Sequence, residues 1–193
     1  FGSFIGSFLN VCIVRMPEGK SIVYPPSHCV HCEKEIPWHD NIPFLSYLLL
    51  GGKCRFCKKS ISIRYFIVEL VTAVLFLWLY LFFGLAWSLF AYFVFVSGLI
   101  VAAFVDIEHR IITDEISVGG TIAGLIFCFL LPQLQGTSSH FLSIGRSLAG
   151  VLIGGGAIYA MGVLGDFIFK KESMGGGDVK LLAMIGAFLG WKS

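Results

Sequence analysis

Charged residues are scarce in this sequence. Only 13% of the 193 residues are Asp, Glu, Lys or Arg, whereas a soluble domain carries about 25%. The formal net charge of +2 is too small to indicate nucleic-acid binding. The hydrophobic content of 56% is more than one core can bury. These values exclude an ordinary soluble domain, a disordered chain and a small disulfide scaffold, and they predict an all-α polytopic membrane protein.

Long uncharged or nearly uncharged stretches indicate where the chain crosses the membrane. A spanning helix needs about 20 mostly apolar residues, because the hydrocarbon core is roughly 30 Å thick. Residues 1–14 lack the basic start and the small-residue cleavage site of a signal peptide. We interpret them as a spanning helix whose start is missing. The other predicted spans are residues 65–83, 84–105, 116–131, 141–165 and 179–191. We therefore predict at least six transmembrane helices and expect the natural chain to have more.

The positions of Lys and Arg predict the orientation and the domains. Residues 15–64 are rich in both, whereas residues 132–143 contain neither. Because cytoplasmic loops carry an excess of Lys and Arg, residues 15–64 are predicted to be a cytoplasmic insert. The expected organisation is a first helix at 1–14, the insert at 15–64, and a five-helix membrane domain at 65–193.

The insert carries two C-x-x-C pairs. They are separated by 21 residues, close to the spacing of a zinc ribbon. A closed site with four thiolates would be structural, because it leaves no open position for water. Two disulfides or four free thiols are the alternatives, although disulfides are rare in the reducing cytosol. The predicted zinc ligands are Cys29, Cys32, Cys54 and Cys57.

The remaining candidates near the cysteines have simpler explanations. His28 and His31 lie close enough to the first pair to compete as ligands. Cys12 and Cys128 lie in apolar spans, and we interpret them as small packing residues.

Glycines also recur four residues apart within the spans, a spacing that lets helices approach closely in lipid. The run at residues 154–156 is not explained by that spacing and predicts a flexible helix.

Three aspartates are predicted to lie at the cytoplasmic edge of the membrane, where ionisable groups are candidates for function. Asp106 ends one predicted span, Asp114 precedes the next, and Asp178 follows the glycines at 175–177. Singly, Asp106 could pair with Arg110 and the other two could cap helices. Together, they suggest two carboxylates that share a proton, one acting as a general base on water and the other as an acid. The three glycines would let a substrate backbone approach Asp178.

Five sets of residues together form a recognisable pattern: 6–11 with 15–17, the two C-x-x-C pairs with 40–43 between them, 64–65 with 68–70, 106–114, and 175–182. In this order they resemble the type IV prepilin peptidases, which are bifunctional leader peptidases and N-methyltransferases. One departure is Thr113, where that family usually has proline before the last aspartate of its first motif.

The resemblance implies specific chemistry. Asp106 and Asp178 would be the catalytic aspartates, and the four insert cysteines would bind a structural zinc ion. Asp114, Lys180, Gly175, Gly176 and Gly177 would support the aspartates. The enzyme would cut type IV prepilins or pseudopilins after a glycine, at the cytoplasmic side of the bacterial inner membrane. It would then methylate the new N-terminus with S-adenosylmethionine, for which no binding residue is identified and no G-x-G-x-x-G pattern is present.

Other classes of function remain to be separated from this one. A zinc-stabilised ion-coupled transporter would use Asp106, Asp178 and Glu69 as ion sites, although no internal repeat is visible. A non-catalytic scaffold of a secretion machine would leave the glycines before Asp178 unexplained. An archaeal preflagellin peptidase would share the G-x-G-D element but would not be expected to carry the cysteine insert.

Overall fold

The computed structural model describes residues 1–170 and 175–191, and these residues form helices without any β-strand. Two short 3-10 turns, Trp38–Asn41 and Pro132–Gln135, separate some of the helices. The helices are α1 (Gly2–Arg15), α2 (Leu45–Leu49), α3 (Arg64–Phe83), α4 (Trp87–His109), α5 (Asp114–Leu130), α6 (His140–Phe169) and α7 (Gly176–Leu189).

Three of these helices are long and apolar enough to cross a membrane: α3, α4 and the His140–Ile168 part of α6. The prediction of a helical membrane protein is therefore confirmed. The count of six spans is not, because α1, α5 and α7 are only 14, 17 and 14 residues long. These three helices correspond to predicted spans, but they are shorter than the roughly 20 residues of a typical spanning helix, so these spans stay predictions.

The chain divides into two compact units, Phe1–Gly84 and Leu85–Ser193. In the first unit, α1 packs antiparallel against α3 through glycines. A Cβ atom added at Gly2 would lie 2.8 Å from the Cα of Ala73, and one added at Gly6 would lie 2.7 Å from the Cα of Glu69. The packing role predicted for these two glycines is thereby confirmed.

In the second unit, α7 packs against α5, α6 and α4. It runs parallel to α5, since Gly120 of α5 faces Met184 and Gly124 faces Ala187. It runs antiparallel to α6, because Gly150 of α6 faces Gly186. The core of the unit is formed by Phe95, Met184 and Phe188. Helix α7 is therefore held in place by contacts with α4, α5 and α6.

Buried polar groups add to this packing. The Ser147 hydroxyl of α6 donates a hydrogen bond to the carbonyl of Ala187 at 2.5 Å, and the Cys128 thiol of α5 reaches the same carbonyl at 3.3 Å. Cys12 is also buried, in α1. Both cysteines therefore have the packing environment that the sequence predicted for them.

Candidate metal centre and carboxylate site

The four insert cysteines lie on two knuckles of the same backbone design. In each knuckle the first cysteine donates its N–H to the carbonyl five residues later, and its own carbonyl accepts from the N–H four residues later. The residue four positions after the first cysteine has a positive φ in both knuckles, 56° at Glu33 and 58° at Lys58. The hydrogen bonds are Cys29 to Lys34 at 3.0 Å, Glu33 to Cys29 at 2.8 Å, Cys54 to Lys59 at 2.9 Å and Lys58 to Cys54 at 3.0 Å.

The thiols converge as a tetrahedral metal requires. All four sulfur atoms lie within 4.8 Å of one another, and the Sγ atoms of Cys29 and Cys57 are 3.8 Å apart. Zinc bonds of about 2.3 Å in a tetrahedron place the sulfurs about 3.8 Å apart. All six cysteines of the chain are free, so the disulfide alternative is not realised. The donor set fits zinc.

The local electrostatics favour metal binding at this cluster. Backbone N–H groups of Cys57 and Phe56 point at the Cys54 sulfur and lower the pKa of that thiol to about 6. The Lys34 N–H acts in the same direction on Cys32, but burial and hydrogen bonds to the other three thiols outweigh it and raise the Cys32 pKa to about 11. The Cys54 thiol therefore loses its proton more readily than an ordinary cysteine and the Cys32 thiol less readily, and a bound cation would favour the thiolate form of both.

The histidines near the first pair are not part of the cluster. The ligand group within described residues comprises the four cysteines alone. The ring of His28 hydrogen-bonds to the carbonyl of Pro26 at 3.1 Å, and His31 contributes its backbone N–H to the Cys29 sulfur at 3.4 Å. His31 thus acts through its backbone.

An ion pair that the sequence did not predict ties the second knuckle to the 40–43 segment. The Arg55 guanidinium, between Cys54 and Cys57, donates two hydrogen bonds of 2.6 Å to the carboxylate of Asp40. These bonds hold the pKa of Asp40 below its usual value. Only the fold brings the two positions together, since they lie 15 residues apart. The pair fixes the turn that contains Asp40 to the metal module.

A second contact missed from the sequence ties the insert to α3. The Glu69 carboxylate, which is buried, accepts a 2.9 Å hydrogen bond from the N–H of Phe44. Phe44 has a φ of 61°, a strained conformation for a residue with a side chain. The rings of Phe44 and Tyr47 both pack on Phe66 of α3, with centroids 5.6 and 5.5 Å apart. The short apolar run after residue 43 therefore packs on α3.

The three aspartates lie at helix ends of the second unit, and all three are exposed. Asp106 is in the last turn of α4, Asp114 is the first residue of α5, and Asp178 is in the first turn of α7. The structure joins Asp114 to Lys180 of α7, with 2.6 Å between its Oδ1 and the lysine Nζ. Helices α5 and α7 therefore start side by side. Asp106 meets Arg110 through the backbone, where the Arg110 N–H donates to the Asp106 carbonyl at 2.8 Å.

Helix packing sets the level of Asp106 relative to Asp178. Helix α4 runs antiparallel to α7: Phe95 stacks near Phe188 with ring centroids 4.7 Å apart, and Gly98 faces Met184. Asp106 in the last turn of α4 and Asp178 in the first turn of α7 therefore lie at the same end of this antiparallel pair.

The glycines before Asp178 differ in their surroundings. A Cβ atom at Gly177 would lie 3.0 Å from the Cβ of Ile112, so this glycine lets the segment after α4 pack against α7. Among the described residues, no atom lies within 4 Å of a Cβ at Gly176, and at Gly175 the Asp178 carboxylate does, at 3.8 Å. Packing between described residues therefore accounts for Gly177 and not for the other two.

Comparison with known protein families shows which family this chain belongs to. Residues 93–193 match the family model described as "Type IV leader peptidase family", and residues 1–83 match the model described as "Bacterial Peptidase A24 N-terminal domain". The chain belongs to the type IV leader peptidase family. The border between the two matches falls at the border between the compact units, Phe1–Gly84 and Leu85–Ser193.

Curated members of the leader peptidase family are similar along the whole chain. A "Prepilin leader peptidase/N-methyltransferase" of Myxococcus xanthus is 39% identical over 100% of this chain and 55% of its own length. A "Type 4 prepilin-like proteins leader peptide-processing enzyme" of Escherichia coli O78:H11 is 36% identical over 98% of this chain and 74% of its own. The corresponding Pseudomonas aeruginosa protein is 35% identical, over 99% and 71%. The chain thus spans about half of the first relative and about three quarters of the others. No solved structure matches the chain significantly.

Proposed function

We propose that the protein is a membrane-bound prepilin leader peptidase that also N-methylates the product. The observation that carries this proposal is the similarity of the whole chain to relatives named for both activities. The substrates would be type IV prepilins or pseudopilins, and the site of action would be the bacterial inner membrane. None of the relatives described above is named as a transporter, so the ion-coupled alternative has no support from them.

Asp106 and Asp178 are the catalytic pair in this proposal. Their support is the common level at the ends of α4 and α7, inside the region that matches the leader peptidase model. One carboxylate would take a proton from the attacking water, and the other would donate a proton toward the scissile peptide group. The Lys180–Asp114 ion pair would fix the start of α7, and with it the position of Asp178.

Zinc has a structural role in this proposal. Cys29, Cys32, Cys54 and Cys57 would hold it, and a closed four-thiolate site offers no position for substrate or water. When bound, the ion supplies positive charge that keeps all four sulfurs deprotonated. The knuckles would then hold Asp40 through Arg55, so that the insert keeps one conformation.

The second activity requires a methyl donor, which we take to be S-adenosylmethionine. When bound, it would supply a methyl group to the new N-terminal amine, which would give up a proton to water, and the donor would leave as a thioether. The proposed topology has six spans, with residues 15–64 and the three aspartates at the cytoplasmic side. Its support is the excess of Lys and Arg in the insert.

Cleavage of a purified prepilin by the full-length protein in detergent tests the proposal. Asp106→Asn and Asp178→Asn should each lower the cleavage rate by at least about a hundredfold, the usual contribution of an acid or base. Glu115→Gln is the matched control, because Glu115 is an exposed carboxylate in the first turn of α5. It should cleave normally. Normal cleavage by both aspartate variants would reject the pair, and a folded, zinc-loaded wild type that leaves a cognate prepilin intact would reject the function.

A further inference from the structure

We propose that α2 lies at the boundary between lipid headgroups and acyl chains and anchors the metal-binding insert to the membrane. Such an anchor is separate from the proposed peptidase and methyltransferase activities. Three leucines of α2 occupy positions i, i+3 and i+4, which share one side of a helix. Leu45 is 51% exposed, Leu48 67% and Leu49 77%, and we call these three residues the leucine face.

The other side of α2 is fixed to the protein. The ring of Tyr47 packs on Phe66 of α3, with centroids 5.5 Å apart. Ser46 is buried, and its hydroxyl donates a 3.0 Å hydrogen bond to the carbonyl of His39. Helix α2 therefore turns one side toward α3 and the insert, and the leucine face is directed away from them.

The depth of α2 follows from its contacts with α3. Helix α3 is long and apolar enough to cross a membrane, and its 20 residues extend over about 30 Å, the thickness of the hydrocarbon core. Phe66 is the third residue of α3, and Glu69, which accepts the N–H of Phe44, is the sixth. The start of α2 therefore lies beside the first two turns of α3. At this depth a face directed away from α3 meets lipid.

The backbone of this segment is paired as contact with lipid requires. Backbone N–H groups in an apolar environment need an acceptor within the protein, since water is not there to supply one. The Phe44 N–H, which precedes α2, donates to the buried carboxylate of Glu69 at 2.9 Å. The N–H of Ser46 donates to the carbonyl of Ile42 at 3.1 Å, and that of Leu48 to the carbonyl of Phe44 at 3.0 Å. A lipid environment thus explains why a buried carboxylate is placed at the start of so short a helix.

The leucine face also continues an apolar surface of α3. Leu70 lies one turn after Phe66 on the same side of α3, and it is exposed. Further exposed apolar side chains follow along the helix at spacings of three and four residues: Val74, Leu77 and Leu81. Lipid must cover this stripe in a helix that crosses the membrane. The leucine face extends the same surface at the Arg64 end of α3, where one leaflet of the bilayer ends.

Charges beyond α2 fit the surface of that leaflet. Residues 51–52 connect α2 directly to the second cysteine knuckle, and the Gly52 N–H donates to the carbonyl of Tyr47 at 2.8 Å. Three exposed lysines lie on or beside this knuckle: Lys53, Lys58 and Lys59. An apolar helix face next to lysines is typical of segments that lie in the interface, where lysine is attracted to anionic headgroups. A phospholipid leaflet therefore matches both parts of this surface.

Photochemical cross-linking tests the anchor in the full-length, zinc-loaded protein. The photoreactive amino acid p-benzoyl-phenylalanine is placed at position 48 or, as the matched control, at position 47, on the opposite side of the same helix. Each protein is reconstituted in nanodiscs of phosphatidylethanolamine and phosphatidylglycerol, illuminated and analysed by mass spectrometry. Position 48 should gain the mass of a phospholipid several times more often than position 47, which should cross-link to the α3 peptide that contains Phe66. Zinc content and melting temperature show whether both proteins fold.

Two results of this experiment would overturn the proposal. A cross-link from position 48 to another peptide would show that protein covers the leucine face, and a failure to gain any lipid would show that the face meets water. Prepilin cleavage is measured on the same samples. Absence of cleavage together with a lipid adduct at position 48 counts against the proposed function alone, and cleavage without that adduct counts against the anchor alone.

A second measurement uses the wild type and needs no substitution in α2. Hydroxyl radicals generated in water oxidise accessible leucine and valine side chains of the protein in the same nanodiscs. Leu48 and Leu49 should be protected as strongly as Leu77, which is 58% exposed in the middle of α3. Val30 on the first knuckle, 71% exposed, serves as the reference for a side chain outside α2 and α3. Oxidation of the leucine face at the rate of Val30 and well above that of Leu77 would refute the anchor.

Discussion

Three adjacent glycines in α6 allow a graded test of how this helix meets α7. A Cβ atom added at Gly154 would lie 2.6 Å from the carbonyl oxygen of Leu182. One added at Gly155 would lie 3.2 Å from the Cβ of Ala183, and one added at Gly156 would meet no atom of the described residues within 4 Å. Alanine substitutions at these three positions therefore change the same chemistry in three different surroundings.

The expected free energies follow from these distances. Ordinary contact begins at 3.4 Å, so Gly154→Ala forces α6 and α7 apart by several tenths of an ångström against a backbone atom. Overpacking of this kind costs about 1 to 3 kcal/mol. Replacing a helical glycine by alanine returns about 0.5 to 1 kcal/mol. Gly154→Ala should thus destabilise the protein by up to about 2.5 kcal/mol, Gly155→Ala should be nearly neutral, and Gly156→Ala should stabilise slightly.

Thermal unfolding in detergent, followed by tryptophan fluorescence, measures the order of the three variants. For a protein of this size, about 1 kcal/mol corresponds to roughly 2–4 °C in Tm. Gly154→Ala should melt several degrees below the wild type, and Gly156→Ala at or above it. If Gly156→Ala lowers the Tm as much as Gly154→Ala does, the glycines serve helix flexibility and the packing argument is refuted.

Two further predictions concern ion pairs. Lys180→Met removes the ion-pair partner of Asp114. Because an exposed ion pair contributes only about 0 to 1 kcal/mol to stability, the Tm should change little, but prepilin cleavage should slow because the start of α7 is misplaced. Full cleavage activity would show that this ion pair does not position α7. Arg55→Gln removes both hydrogen bonds to Asp40 and should speed the release of zinc to a chelator, measured with a metal-sensitive dye. Arg55→Lys should release zinc at an intermediate rate. Equal rates in the wild type and both variants would contradict the coupling of the turn that contains Asp40 to the metal module.

Features set by residues near each other in sequence could be predicted here. The C-x-x-C spacing encodes the knuckle, because the backbone bonds that shape it join residues four and five apart. The spacing of Gly2 and Gly6 likewise encodes one face of a helix. The metal cluster, the helical membrane character and a close helix contact at Gly2 and Gly6 were all foreseeable on these grounds, whereas the partner helix α3 was not.

Features set by tertiary contacts could not be predicted. Neither Asp40 nor Arg55 carries a local signal that points to the other, and the same is true of Glu69 and the backbone of Phe44. The glycine at 177 suggested room for a substrate, whereas the fold uses it to admit Ile112. The count of six spans stays a prediction, since α1, α5 and α7 are shorter than the three helices that are long enough to cross a membrane.

As the proposed catalytic pair, Asp106 and Asp178 at the ends of α4 and α7 would make depth in the bilayer a measure of where a substrate is cut. Each residue of a helical substrate occupies about 1.5 Å along its axis, so inserting one residue between its apolar segment and the scissile bond would displace that bond by about 1.5 Å relative to the two carboxylates. A full turn would displace it by about 5.4 Å. A protease built in this way would read the distance from the end of an apolar helix, and substrates with different side chains around the cut could share it.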